Sequence, residues 1–232
     1  MAEGNFFLTV MDTASNLPLV NVERDSFLRK QFVNSKYDIY DVISRGPVSA
    51  GVPKEELRKI AKGVIRLEST QVTLISTAAG LPGGLAMIGT VPADMAQYIG
   101  YLMRVAQKLM YLYGIESIKD VSDNSESAII IALGVMLGAE GASNGLRTLC
   151  KSFAVNLEKR VAQKALTKGT LYPIVKKICA QLGIKLTKQS FAKGVGKVVP
   201  IIGGFASGGL TLVTFVPSCK HLLNALEKEM YN

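Results

Sequence analysis

Apolar residues along this chain recur at helical spacing. No window alternates apolar and polar positions at a period of two for long, so the pattern predicts helices and no sheet. The first long helix opens after Pro53, a residue suited to the first helical position because its missing N–H would be unpaired there anyway. Glu55 and Glu56 follow in the first turn, where the helix dipole favours acids. Leu57, Ile60, Val64, Leu67, Leu74 and Ala78 then fall at helical spacing, and Gly80 supplies a stop. A second helix starts at Pro92, with Met95, Tyr98, Ile99, Leu102, Val105, Ala106, Leu109 and Tyr113 on a wide apolar face. Gln97, Arg104 and Lys108, with Tyr101 and Tyr111, form its narrow polar stripe, so the helix is expected to be mostly buried and to end at Gly114.

Residues 1–22 lack clear periodicity and predict a short helix at most. Residues 23–46 predict one or two short amphipathic helices, split near Asn34-Ser35. Asp123 to Glu126 has capping-box spacing ahead of a segment, Ser127 to Ala139, that is apolar all round. Ser143 can cap a helix with Leu146, Cys150, Phe153, Leu157, Val161 and Ala165 on one face and Arg147, Lys151, Lys159, Arg160 and Lys164 on the other. Thr170 begins a short helix that stops at Gly183, Thr187 begins the next, and the last segment runs from Val198 with Pro200 and Pro217 as kink points.

Two uncharged runs stand out: 25 residues between Glu68 and Asp94, and 22 between Lys197 and Lys220. Either could supply the about 20 residues that span hydrocarbon as a helix. The first, however, is broken by Gly80, Pro82, Gly83 and Gly84, and the second by Pro200, Gly203, Gly204, Gly208 and Gly209. A break exposes backbone groups that lipid cannot satisfy. Two buried glycine-rich hairpins, or insertion in a bilayer through small-residue packing, both remain open readings. The runs share a pattern: Gly83-Gly84-Leu85 precedes Val91-Pro92, and Gly208-Gly209-Leu210 precedes Val216-Pro217, as a pseudo-twofold duplication would give. The expected fold is an all-α, single multi-helix bundle of seven to nine helices, residues 53–232, preceded by an extension over 1–52 with short helices. Its expected centre is the pair of helices in 53–113 packed on 127–139 and 198–226. The glycines of the two runs, with Asp94, are the candidate packing or ligand site.

Composition adds an anionic partner. Net charge is +9 and hydrophobic residues make up 48% of the chain, against 19% charged. The positive charge is concentrated: residues 141–200 hold twelve Lys and Arg against one acid, Glu158, leaving the rest slightly negative on balance. Arg147, Lys151, Lys159, Arg160, Lys164, Lys168, Lys176 and Lys177 are the candidate anionic-surface residues. Each lysine near an anionic bilayer contributes about 1 kcal/mol. Nucleic acid would use the same charges, but Phe153, Tyr172 and Phe191 are too few and too core-like for a base-stacking platform.

Catalytic and metal chemistry has little support. Cys150, Cys179 and Cys219 have neither disulfide-framework nor zinc spacing and fit a reducing compartment. His221, the single histidine, has no ligand-spaced neighbour. Lys193 to Val198 resembles a phosphate loop, yet Phe191 replaces its first glycine and Val198 its hydroxyl residue. In Gly204-Phe205-Ala206-Ser207-Gly208 the serine is one position late for a nucleophile elbow. Asp94 reads as a first-turn helix residue. A hydrolase using Asp94 remains an alternative, as does a helical carrier of a hydrophobic ligand or lipid. No cofactor or metal is expected, and the N-terminus lacks the basic start of a signal peptide.

Thr77-Ala78-Ala79-Gly80, Gly83-Gly84, Val91-Pro92-Ala93-Asp94 and Arg104 through Tyr113-Gly114-Ile115-Glu116 together resemble the middle of EcsC-type proteins. Lys197-Val198-Val199-Pro200-Ile201-Ile202-Gly203-Gly204 is similar to that family's second signature, and a related pattern occurs in YcjF-type domains. Ile115-Glu116 departs from the usual aromatic–Asp. The resemblance covers about residues 53–230. It implies a bacterial, all-helical protein at the cytoplasmic membrane, linked to transport or secretion, and no catalytic residue. The combined expectation is a non-enzymatic accessory protein, peripheral to the inner face of the membrane or inserted in it. Its partner would be anionic phospholipid or a membrane protein.

Overall fold

The computed structural model describes residues 3–18, 20–79, 87–88, 91–115, 124–154, 168–181 and 208–231. Helices dominate: α1 (Glu3–Ser15), α2 (Arg24–Phe32), α3 (Ile39–Arg45), α4 (Lys54–Ala79), α5 (Ala93–Leu112), α6 (Asn124–Met136), α7 (Ala142–Ala154), α8 (Lys168–Gln181) and α9 (Gly208–Tyr231). The fold is all-α. One local departure from the expected absence of pairing is a two-residue antiparallel contact between β1 (Met87–Ile88) and β2 (Val91–Pro92), directly ahead of α5.

Local chemistry sets several boundaries. The Glu23 carboxylate accepts from the backbone N–H groups of Asp25 and Ser26 and opens α2, and Asp38 opens α3 by accepting from Tyr40 N at 2.8 Å. Gly114 takes a positive φ of 79° just past α5, as a left-handed stop requires. α1 is longer than the weak periodicity of residues 1–22 implies: it has 13 residues and buries Val10, Met11 and Ala14 while packing on α5.

α5 is the hub. It packs against α1, α2, α4, α6 and α9, and Ile99, Leu102, Val105, Ala106, Leu109 and Leu112 are fully buried. Of its expected polar stripe, Lys108 and Tyr111 are buried and Gln97, Tyr101 and Arg104 are partly buried. Tyr111 is buried and its hydroxyl donates to Val22 O at 3.3 Å. Gln107 is buried too, accepting from Val22 N at 3.1 Å and donating to Val20 O at 3.0 Å, so it satisfies the connection between α1 and α2.

α4 is rotated relative to the expected stripe. Leu57, Ala61, Val64, Ile65, Glu68 and Val72 face inward, whereas Leu67 is 55% exposed and Ile60 half-buried. A carboxylate at an inward position, compensated from α5, lets this face rather than the Ile60–Leu67 face meet the core. α9 packs on α4, α5, α6 and α7 through Phe215, Cys219, Leu222, Leu223 and Leu226; α7 and α8 both pack on α6.

Candidate anionic-surface interface

The eight basic residues expected to meet an anionic partner fall into three groups. Arg147 and Lys151 are exposed on α7, and Lys176 and Lys177 are exposed on α8. Lys168 is the first residue of α8, with its side chain outside the described residues; Lys159, Arg160 and Lys164 lie outside them altogether. Of the glycine-rich set, Gly80, Gly83, Gly84, Gly203 and Gly204 lie outside the described residues. Gly208 and Gly209 open α9. Asp94 is the second residue of α5, and its side chain is not among those described. The two Val-Pro steps differ in setting: Val91-Pro92 forms β2, whereas Val216-Pro217 lies inside α9.

Why α7 and α8 present cations outward follows from their registers. Ala142, Leu146, Leu149 and Cys150 bury one side of α7, which leaves Arg147 and Lys151 on the other. Ile174, Val175, Ile178 and Cys179 do the same for α8, leaving Lys176 and Lys177 outside. Neither helix contains an acid. Arg147 meets one from elsewhere: its Nε donates to the Glu229 carboxylate of α9 at 3.1 and 3.3 Å.

Two buried carboxylates hold the helices behind this surface. Glu68 of α4 is fully buried; it accepts from Arg104 Nε at 3.0 and 3.2 Å and from Lys108 Nζ, both on α5. Burial pushes the Lys108 ammonium below its ordinary pKa, opposed by its bond to Glu68 and assisted by the charges of Arg104 and Lys30. The ammonium also lies 5.7 Å from the centre of the Phe27 ring. Glu227 of α9 is the second: it accepts from Tyr113 Oη at 3.1 Å and pairs with Arg58 of α4 at 3.4 Å. Burial, followed by the Glu227 charge and hydrogen bond, raises the Tyr113 phenol far above its ordinary value.

The described residues contain no group of three or more His, Cys, Asp or Glu able to hold a metal ion. Cys150, Cys179 and Cys219 are all free and buried, and burial pushes each thiol up to about 12, which removes the thiolate a nucleophile needs. No helix among the described residues is long and apolar enough to cross a membrane.

Sequence reading missed Glu68, Arg58, Glu227 and Glu229. Its available signal was an acid on an otherwise apolar helical stripe, since Glu68 follows Leu57, Ala61, Val64 and Ile65 in register. Such an acid needs a cation on the facing helix. No protein-family model matches the chain, and neither the curated proteins nor the solved structures contain a match. The resemblance to EcsC-type proteins thus stands on its short motifs alone.

Proposed function

We propose that the protein is a non-enzymatic accessory protein that lies on an anionic membrane surface, with a membrane protein or phospholipid as its partner. The observation that carries this reading is the outward-facing side of α7 and α8, where Lys151, Lys176 and Lys177 are exposed and neither helix contributes an acid; Arg147 beside them is paired with Glu229. At about 1 kcal/mol for each cation near an anionic leaflet, these side chains supply a few kcal/mol of attraction. In sequence, residues 155–167 and 182–200 carry seven Lys and Arg against one acid, Glu158. The resemblance to EcsC-type proteins points the same way, because that family is placed at the cytoplasmic membrane.

Co-sedimentation with vesicles tests it. The expected result is binding to vesicles containing phosphatidylglycerol and none to phosphatidylcholine alone. Binding should fall as salt rises from about 0.1 M to about 1 M, which shortens the Debye length from about 10 Å to about 3 Å. Equal binding to both vesicle types, or to neither, overturns the proposal.

A further inference from the structure

The charge-dense stretch after Gly141 is not the whole of the cationic surface. α4 carries Lys59, Lys62 and Arg66 on its exposed side, at spacings of three and four residues that keep them on one stripe. None of the three side chains has an ion-pair or hydrogen-bond partner among the described residues. Gly63 stands between them, and a Cβ there would meet nothing within 4 Å, so the stripe is low in relief. Leu67 is exposed at its edge.

α9 joins this stripe to α7. Thr214, Pro217, Lys220, His221, Asn224 and Lys228 are its exposed residues among those described. At about 100° per residue, Glu227 and Glu229 fall on opposite shoulders of that exposed strip. Each shoulder binds an arginine from a different neighbour. On one side Arg58 of α4 pairs with Glu227 at 3.4 Å and donates to Asn224 Oδ1 at 3.2 Å. On the other, Arg147 of α7 pairs with Glu229 at 3.1 Å. α4 and α7 therefore flank α9 as one three-helix layer. Exposed cations on that layer without an ion-pair partner among the described residues are Lys59, Lys62 and Arg66 on α4, Lys220 and Lys228 on α9, and Lys151 on α7. Glu55 is the exposed acid among the described residues of these helices; Glu227 and Glu229 are engaged by arginines.

We infer that this three-helix layer, with α9 at its centre, is the face that rests on the headgroups of an anionic bilayer. The inference rests on the membrane-docking reading above and extends its α7 contacts across α9 to α4; α8, which packs on α6, is outside this layer. Neighbouring helices lie about 8–10 Å apart, so the array extends about 20 Å across. Lys59 to Arg66 adds about 10 Å along α4 at 1.5 Å per residue. Cations spread over an area of that size complement an extended sheet of negative charge. Leu67 offers an apolar side chain at the rim, where the acyl boundary begins.

The test compares two charge reversals of equal size by vesicle co-sedimentation. One is Lys59→Glu/Lys62→Glu/Arg66→Glu. The control is Arg29→Glu/Lys30→Glu/Lys36→Glu, exposed positions on α2 and the turn after it, where α2 packs on α5 and α3. The α4 variant is expected to lose at least about tenfold in binding to phosphatidylglycerol vesicles, and the control to lose clearly less. Circular dichroism and a thermal melt confirm that each variant is folded. If the wild type binds and the α4 variant binds as well, or both variants fall alike, this inference is overturned while the docking reading stands. If the wild type binds no anionic vesicle, both fail together.

Discussion

Arg104 Nε on α5 donates to both carboxylate oxygens of Glu68 on α4, at 3.0 and 3.2 Å, and Glu68 is fully buried. Lys108, one turn further along α5, reaches the same carboxylate. Two cations thus converge on one acid in the seam between the helices. The arrangement is a lock on the relative position of α4 and α5, because a buried charge is tolerated only while its partners are in place.

Replacing Glu68 by Gln removes the charge and keeps the shape. Lys108, and the Arg104 Nε that faces this carboxylate, then lose the negative charge that offsets them in a poorly solvated seam. Loss of one partner of a buried ion pair costs about 3–5 kcal/mol. The urea midpoint of Glu68→Gln should fall accordingly. A midpoint unchanged from wild type would show that solvent reaches the seam.

Glu227 offers a milder test on the opposite side of the same helix packing. Tyr113 Oη donates to it at 3.1 Å, and Arg58 supplies the positive charge. Tyr113→Phe removes the neutral donor and leaves the ion pair. A hydrogen bond to a charged group contributes about 1.5–3 kcal/mol, so a loss of that size in chemical denaturation is expected. Tyr231, whose ring meets Tyr113 edge-on at 6.4 Å, donates instead to Val52 O, so it does not replace the missing hydroxyl.

Helix ends were more legible in the chain than helix faces. Pro53 with Glu55 and Glu56 placed the start of α4, and Pro92 and Gly114 bracketed α5, because proline and glycine act locally through backbone geometry. The inward face of α4 was misjudged because Leu67 and Ile60 fit a helical stripe as well as Ala61 and Ile65 do. Deciding between the two needs the partner helix. Glu68 argues for the observed rotation only once Arg104 and Lys108, 36 and 40 residues later, are placed opposite it. The cationic surface was half legible for a similar reason. Local charge density after Gly141 flags α7 and α8, whereas Lys59, Lys62 and Arg66 are diluted among acids in the linear chain. Their setting emerges when Glu227 and Glu229 each capture an arginine.

The three thiols set an alkaline limit. In the unfolded chain a thiol titrates near 9, whereas burial raises Cys150, Cys179 and Cys219 to about 12 each. Between these values the unfolded state releases protons that the folded state keeps. The thiol contribution is therefore complete below pH about 9 and is lost as pH rises toward about 12, at about 1.4 kcal/mol per pH unit for each thiol. Denaturant midpoints measured from pH 8 to 11 should fall, and Cys179→Ala should flatten that slope by roughly one thiol's share. A slope identical in the variant would mean that Cys179 is not buried as a thiol.

Two helical glycines predict opposite outcomes for one substitution. At Gly63, on the outer side of α4, a Cβ meets nothing within 4 Å, so Gly63→Ala keeps every contact and reduces the freedom of the unfolded chain. A gain of about 0.5–1 kcal/mol in stability is expected. At Gly134, on α6, a Cβ would overlap Ile174 Cγ2 of α8 and approach Ala142 Cβ to 3.0 Å. Ile174 is fully buried and its methyl sits on a branched Cβ with little room to turn. Gly134→Ala must therefore push α8 away from α6, at about 1–3 kcal/mol for overpacking. Thermal melts of the two variants should move in opposite directions. A Gly134→Ala protein as stable as wild type would show that α6 and α8 do not meet at this glycine.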